Sequence, residues 1–450
     1  MSQWYRDILL FVQYFQWGSL RRVLGIKEME HVNEQLGSRI GFHVLENILV
    51  TKIDAQLCLT PALRMTDLRI ERLTSYDQFL ALRADWDSLV ESSVATIFLT
   101  HNWLDRWWQF YGRGFDLWIL VVRDGESLIG LMPLVLVREA MGIRRLTFMG
   151  GGEVTPNHLN IIACPERFSE ALGLICTYLL TCSSEWDFLD IDKLPAQHIA
   201  VDLFRNAFMS RGLTLWRKVT ARCPYAVLPE SFGLYLQSLG YSTRAGYRRV
   251  KRYLERDFPG TRFDQVRSEE ELDEVFERLV ILHQVRWTKK GYPGAFARDR
   301  AVEFHRANAH DALKSGLLRM YYLKVSGTIA AVYYCFRMAN SVQYYIGGFD
   351  DRFAKYSPGM LITGYSIEQS IAEKASLFDF LEGDEGYKSH WASGVRENVR
   401  LAVFSSNLRG RLAHLYIRIA ETAKELGVKF VPAAIRRPLW LSLQRLRAGG

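Results

Sequence analysis

Two apolar runs flank a polar turn at Asp124-Gly125 over residues 117–137, and two more flank Ser326-Gly327 over residues 318–338. Two strand-like runs about an X-Gly pair predict a β-hairpin, because glycine takes the positive φ that a tight turn demands. Each hairpin sits in the same local order. Before the first, residues 67–72 read as a strand, and 77–90 and 101–111 as helices. After it come a strand at 144–149, a helix at 166–180 opening behind Pro165, and a strand at 186–191. Before the second hairpin, 243–255 and 269–287 read as helices. After it come a strand at 342–349, a helix at 360–374 and a strand at 377–381.

The two tracts therefore read as tandem repeats, and a match of Asp187-Phe188-Leu189-Asp190 with Asp379-Phe380-Leu381-Glu382 in the same relative place supports this. Hairpins mixed with helices predict α+β units, each a mixed, mostly antiparallel sheet flanked by helices. The expected division is an N-terminal extension at 1–66, a first unit at 67–228, a second at 229–408 and a basic helical tail at 409–450.

Composition narrows the class. In 450 residues, 49% hydrophobic and 13% aromatic content exclude a disordered chain. The net charge of +8 suits an anionic substrate and is too small to argue for DNA. The six cysteines form no CxxC, which argues against a zinc site or disulfide framework and for a reducing compartment. No stretch has the length of a membrane span, so a cytoplasmic chain is expected. P-loop, GxGxxG, GxSxG and HExxH motifs are missing, and His305 and His310 find no third ligand, so no metal is expected.

The richest segment runs from Tyr344 to Trp391. A strand leads through Lys355 into Ser357-Pro358-Gly359, with Ser357 as a candidate N-cap and Pro358 at the first helical position. Free amides at such a helix start can hold a pyrophosphate. Two basic amphipathic stretches, 244–256 and 436–447, offer attraction for an anionic acceptor or contact with a membrane surface. A solvated face, or docking of the tail onto the second unit, are the alternatives.

The hairpin, strand, Ser-Pro-Gly turn and helix resemble the acyl-CoA core of the GNAT N-acetyltransferase superfamily. The stretch from Asp379 through Gly383, Tyr387 and Lys388 to Trp391 resembles the D-F-x-x-G-x-x-x-[YF]-K-x-x-[WF] signature of the CelD/BcsL type, associated with cellulose and exopolysaccharide production. It is similar to the G-x-x-x-F-K-x-x-F of Fem-type peptidyltransferases. Residues 282–287 and 291–296 also resemble the CelD-type pattern. The resemblance implies tandem GNAT units, with acyl-CoA in the second. At the matching place the first unit has Ala163-Cys164-Pro165-Glu166, where Glu166 would repel phosphate.

The resemblance further implies an acyltransferase, moving an acetyl or other acyl group from acetyl-CoA to an amine or hydroxyl of a small-molecule or sugar-linked envelope precursor. Tyr345, Ile346, Lys355, Ser357, Pro358, Gly359 and Met360 are the expected cofactor-binding residues. Lys388 is the expected cation at the reaction centre, and Glu382 and Asp384 are the candidate bases. His283, Arg286, Trp287 and Tyr387 are expected at the acceptor. The enzyme would be cytoplasmic or peripheral at the inner membrane face. A Fem-like aminoacyl-tRNA-dependent transferase and a catalytically silent scaffold are the alternatives.

Overall fold

The computed structural model describes residues 67–430 except Val94, Asp384 and Glu385. The expected extension at 1–66, the basic stretch at 436–447 and the candidate base Asp384 lie outside the described residues. The N-terminal repeat runs β1 (Leu68–Leu73), α1 (Tyr76–Ala81), α2 (Arg83–Ser92), α3 (His101–Tyr111), β2 (Phe115–Asp124), β3 (Ser127–Arg138), β4 (Arg144–Phe148), β5 (Ile162–Ala163), α4 (Phe168–Thr181), β6 (Phe188–Pro195), α5 (Ile199–Met209) and β7 (Thr214–Val227). Helices α6 (Phe232–Ser238) and α7 (Tyr241–Asp257) lead to the C-terminal repeat. It runs β8 (Arg262–Gln265), α8 (Glu269–Lys289), α9 (Asp299–Lys314), β9 (Leu318–Val325), β10 (Thr328–Met338), β11 (Ser341–Phe349), α10 (Pro358–Ala372), β12 (Leu377–Asp379), α11 (Gly386–Ser389) and β13 (Gly394–Phe404). A last helix, α12, spans Leu408–Phe430.

The strands form one 13-stranded sheet in the order β1-β2-β3-β4-β6-β13-β7-β12-β11-β10-β9-β8, with β5 beside β3. Only β4 with β6 and β11 with β12 are parallel. This is the mixed, mostly antiparallel α+β sheet that the hairpin pattern predicts. From either edge, the order gives strands of one repeat and then the closing strand of the other. β13 pairs with β6, β7 pairs with β12, and the two closing strands pair with each other from Gly394↔Tyr225 to Phe404↔Thr214. The repeats exchange their last strands, so the three-residue β12 is an interior strand instead of an exposed edge.

The sheet corrects one detail of the sequence match. Both parallel ladders have three rungs, Arg145↔Phe188 to Thr147↔Asp190 and Ser341↔Leu377 to Gln343↔Asp379. Rung for rung, the counterpart of Asp379 is Asp190, and the alignment of Asp187 with Asp379 is three residues out of register. Asp187 precedes its strand, where it accepts from the Arg144 backbone (2.8 Å) and from Asn407 Nδ2 (3.1 Å).

Alternate residues of β10 point to opposite faces. Val332, Tyr334 and Phe336 join a core shared by both repeats, while Tyr333 and Cys335 join one under α7 and α10. In the shared core Trp103 of α3 meets Phe304 of α9 edge-on at 5.2 Å. Arg106 grips Asp311 with two bonds of 2.7 and 3.2 Å. Among the described residues no helix is long and apolar enough to cross a membrane, and no cluster of His, Cys, Asp or Glu could hold a metal ion.

Candidate functional site

Past the rung Gln343↔Asp379, β11 continues to Phe349 along β10 alone, while the chain after β12 turns away through Leu381 (φ 50°) and Gly383 (φ 155°). The parallel pair opens into a gap. A bulge sharpens it: Tyr334 faces Ile346 and Cys335 faces Tyr344, so Tyr345 is an extra residue in β11. Gly347 and Gly348 let both faces of the strand be packed closely. A Cβ on Gly347 would lie 2.4 Å from the Tyr344 hydroxyl, and one on Gly348 would lie 2.8 Å from the His283 backbone nitrogen.

At the wide end of the gap the chain reaches α10. Asp350 accepts from Arg278 and Arg352 at 2.7 Å each, and the Arg352 bond leads in holding its carboxyl below the ordinary range. A 3-10 turn over Asp351–Tyr356 follows. The predicted Ser357 cap does not form. Ser357 takes a left-handed backbone (φ 50°) to reverse the chain between the 3-10 turn and α10, and its side chain makes no cap bond. Pro358 does occupy the first turn. Met360 and Leu361 N–H both return to the Ser357 carbonyl (2.9 and 3.2 Å), whereas the Gly359 N–H has no acceptor among the described residues. Gly359 and Met360 are half-buried, so this corner is reachable from solvent.

Cations stand around that corner. The Arg286 guanidinium lies 4.5 Å over the Phe349 ring, the ring that a Cβ on Gly359 would touch at 3.4 Å. Among the described residues no carboxylate reaches Arg286 at ion-pair distance. Lys355 is exposed, with its Nζ 3.9 Å from Asp257.

Lys388 sits at the narrow end. It is buried, its Nζ donates to the carbonyls of Phe380 and Glu382 at 3.2 Å each, and it lies 5.3 Å over the Tyr344 ring. It therefore bridges the diverging strands, from the turn after β12 to β11. The Glu382 carboxylate pairs with Lys193 of the N-terminal repeat at 2.5 Å. Tyr387 brings its hydroxyl to 3.4 Å from that of Tyr333, which bonds Thr363 Oγ1 (2.7 Å), which in turn donates to the Gly359 carbonyl (2.7 Å). This chain links Tyr387 to the first turn of α10, and nothing in the sequence pattern singled out Tyr333 or Thr363.

The remaining candidates lie on the packed side of β11. His283 Nε2 accepts from Ala295 N–H (3.1 Å), so Nδ1 holds the proton and donates to the Gly347 carbonyl (3.1 Å). Both ring nitrogens pin backbone. Trp287 packs on His283 and Tyr292, with Lys290 5.3 Å over its ring. Ile346 is buried, and Tyr345 lies among Phe98, Trp103 and His305. Burial raises the Tyr345 hydroxyl and pushes His305 down to about 3. Gly359, Arg286, Lys355, Tyr387 and Lys388 thus border the gap, while His283 and Trp287 hold its wall. From the N-terminal repeat, His158 brings its Nε2 to 3.2 Å from Asp379 Oδ2 at the last rung.

Residues 241–389, which carry the gap and α10, match the family model of the acetyltransferase (GNAT) domain. This tract resembles a GNAT domain. The whole fold is similar to the crystal structure of FemX, with a TM-score of 0.56 and 11% identity over 77% of this chain and 99% of that one. It is also similar to a conserved protein of unknown function from Bacteroides thetaiotaomicron, with TM-score 0.48, 11% identity, and 75% and 100% of the two chains covered. A tandem GNAT protein from the clavulanic acid biosynthesis pathway gives TM-score 0.41, 12% identity, and 76% and 100% coverage. Among curated proteins none matches this chain.

Proposed function

We propose that the protein is an acyltransferase that moves an acyl group, most simply acetyl, from acyl-CoA to an amine or hydroxyl of an anionic, sugar-linked envelope precursor. The observation that carries this reading is the open parallel pair of the GNAT domain. At its wide end stand a Gly359 amide and an Arg286 that meet no acceptor and no carboxylate, respectively, among the described residues, and its narrow end holds Lys388. The CoA pyrophosphate would rest on the first turn of α10, where amides and helix dipole favour negative charge, with Arg286 and Lys355 as counter-ions. Acyl transfer builds negative charge on the carbonyl oxygen as the acceptor attacks and on sulfur as the thiolate leaves. A fixed cation and the backbone N–H groups of β11 near Tyr345 and Ile346 would stabilise the first. The Tyr387 hydroxyl would donate to the leaving thiolate, and Glu382 would accept the acceptor's proton once its pairing with Lys193 is displaced.

The outer face of α7 favours an anionic acceptor. Arg248, Arg249 and Arg252 are exposed, with no carboxylate at ion-pair distance among the described residues. The acceptor end of a charged tRNA, or lipid phosphate at a membrane surface, would meet the same face. Acetyl-CoA should raise the melting temperature of the native protein, and Gly359→Glu should abolish that rise, because it places a carboxylate where the diphosphate would lie. Lys388→Met should retain acetyl-CoA binding and lose turnover. An equal rise in wild type and Gly359→Glu overturns the phosphate assignment, and full turnover in Lys388→Met removes Lys388 from the reaction.

A further inference from the structure

The loop between β4 and β5 of the N-terminal repeat carries one side chain across to the last rung of the other parallel pair. His158 takes φ 54°, a left-handed backbone that costs a residue with a Cβ about 1 kcal/mol or more. Its side chain, 9% exposed, packs against β7, β12 and β13. The hydrogen-bond chain around it fixes its protons. Asn157 Nδ2 donates to the Thr155 carbonyl (3.3 Å), which turns its Oδ1 toward Asn398 Nδ2 (3.4 Å) and Cys223 Sγ (3.6 Å). Asn398 therefore presents its Oδ1 to His158 Nδ1 (2.9 Å), and Nδ1 must carry a proton.

On the other side of the ring, Nε2 stands 3.2 Å from Asp379 Oδ2, an ion-pair distance at an angle too bent for a good hydrogen bond. A bare lone pair there would face a carboxylate and be repelled. The ring is therefore an imidazolium. Burial works against that charge, and the nearby Asp379 carboxylate, with Cys223 beside it, outweighs burial and lifts the ring to about 10.

Asp379 is the corner at which β12 leaves the sheet. Its Oδ1 accepts from Leu381 N–H (2.8 Å), and Arg396 of β13 lies 3.8 Å from Oδ2. The carbonyls of the turn it sets, Phe380 and Glu382, are the ones that hold Lys388. We propose that His158 is a positioning residue for the transfer site: its contact with Asp379 fixes the turn at 380–382 and thereby the place of Lys388 Nζ in the gap. This rests on the reading of Lys388 as the cation of the transfer step. The N-terminal repeat then completes the site of the GNAT domain instead of only supporting it.

Charged or titratable groups face the ring from three strands: Asp379 on β12, Arg396 on β13 and Cys223 on β7. A raised folded-state pKa means the clamp is complete below pH 6.5 and is lost as pH climbs through about 10. The test is thiol release from acetyl-CoA, with hydroxylamine as probe acceptor. His158→Gln should lower kcat on the order of 100-fold, the cost of a misplacement of about 1 Å, with KM for acetyl-CoA little moved. The variant should also lack the alkaline limb of the wild-type pH profile. His158→Lys, which restores a cation beside Asp379, should recover part of kcat.

Should His158→Gln fail to fold, nitrogen-edited histidine spectra of the wild-type protein at pH 8 decide the charge. Two protonated ring nitrogens support the clamp, and a neutral ring overturns it. Wild-type kcat and pH profile in His158→Gln overturn the positioning role alone. No thiol release and no acetyl-CoA binding by the wild-type protein overturn the acyltransferase reading first.

Discussion

In the N-terminal repeat the parallel pair β4–β6 also ends after three rungs, yet the space beyond it is filled by the chain's own loop. Leu159 N–H donates to the Lys193 carbonyl (2.9 Å) farther along β6, and Val154, Asn157, Leu159 and Ile161 are all buried there. Trp107 ties the start of the same loop down through the Gly151 carbonyl (2.8 Å). The helix that follows begins behind Pro165 and Glu166, so its positive end is already answered by a carboxylate. In the C-terminal repeat the equivalent loop is a short 3-10 turn that stays outside the gap, and no acid stands in the first turn of α10. The scaffold is common to both halves. What separates a filled pair from an open one is the length and apolar content of a single loop. That loop does two things, since the residue before Leu159 is His158, which reaches the other half.

The comparison can be broken at its filled end. Leu159→Ala should leave a cavity and lower unfolding free energy by about 2–5 kcal/mol in urea titration. Acetyl-CoA affinity of the folded fraction should stay unchanged if the N-terminal pair is purely structural, and a parallel loss of affinity would show that the filled gap also shapes the open one. A smaller cost is expected for Gly348→Ala. Its Cβ would stand 2.8 Å from the His283 backbone, and displacement of α8 should cost about 1–3 kcal/mol. Calorimetric titration should show weaker acetyl-CoA binding in the same variant, because Arg286 moves with that helix. The mildest expected effect is that of Arg286→Ala. Losing one charge-assisted phosphate contact should raise the acetyl-CoA Kd about tenfold with melting temperature nearly unchanged. Arg167→Ala, at the matching helix start of the N-terminal repeat, should leave that Kd untouched, since Arg167 is taken by Asp124 (3.0 Å) and Glu170.

Much of this was legible in the chain. The two hairpins, the helix behind Pro358 and the strand through Gly347 announce themselves by local rules of apolar patterning and turn chemistry. The closing strands did not. β7 carries Lys218, Arg222 and Pro224, β13 carries Arg396, Glu397 and Arg400, and part of one face of each is exposed. Their apolar runs are broken by charged residues, and their partners lie in the other repeat, where no local pattern can point. The D-F-L-acid match shows the opposite hazard: a real repeat was supported by a motif in the wrong register. At the site, Lys388 and Arg286 stood out as basic residues in a recognisable pattern, and the structure puts both beside the gap. His283 stood out equally and is spent on backbone.

What the sequence determined by itself is local: which segments alternate, which turns need glycine, where a helix can start, and which half lacks an acid there. These follow from steric and dipolar rules that act within a few residues. Tertiary structure alone decided which parallel pair stays open, which strand closes which repeat, and that a histidine of one half meets an aspartate of the other. Those outcomes depend on burial and on Coulombic attraction between groups distant in sequence, and both exist only once the sheet has brought them to within a few ångströms.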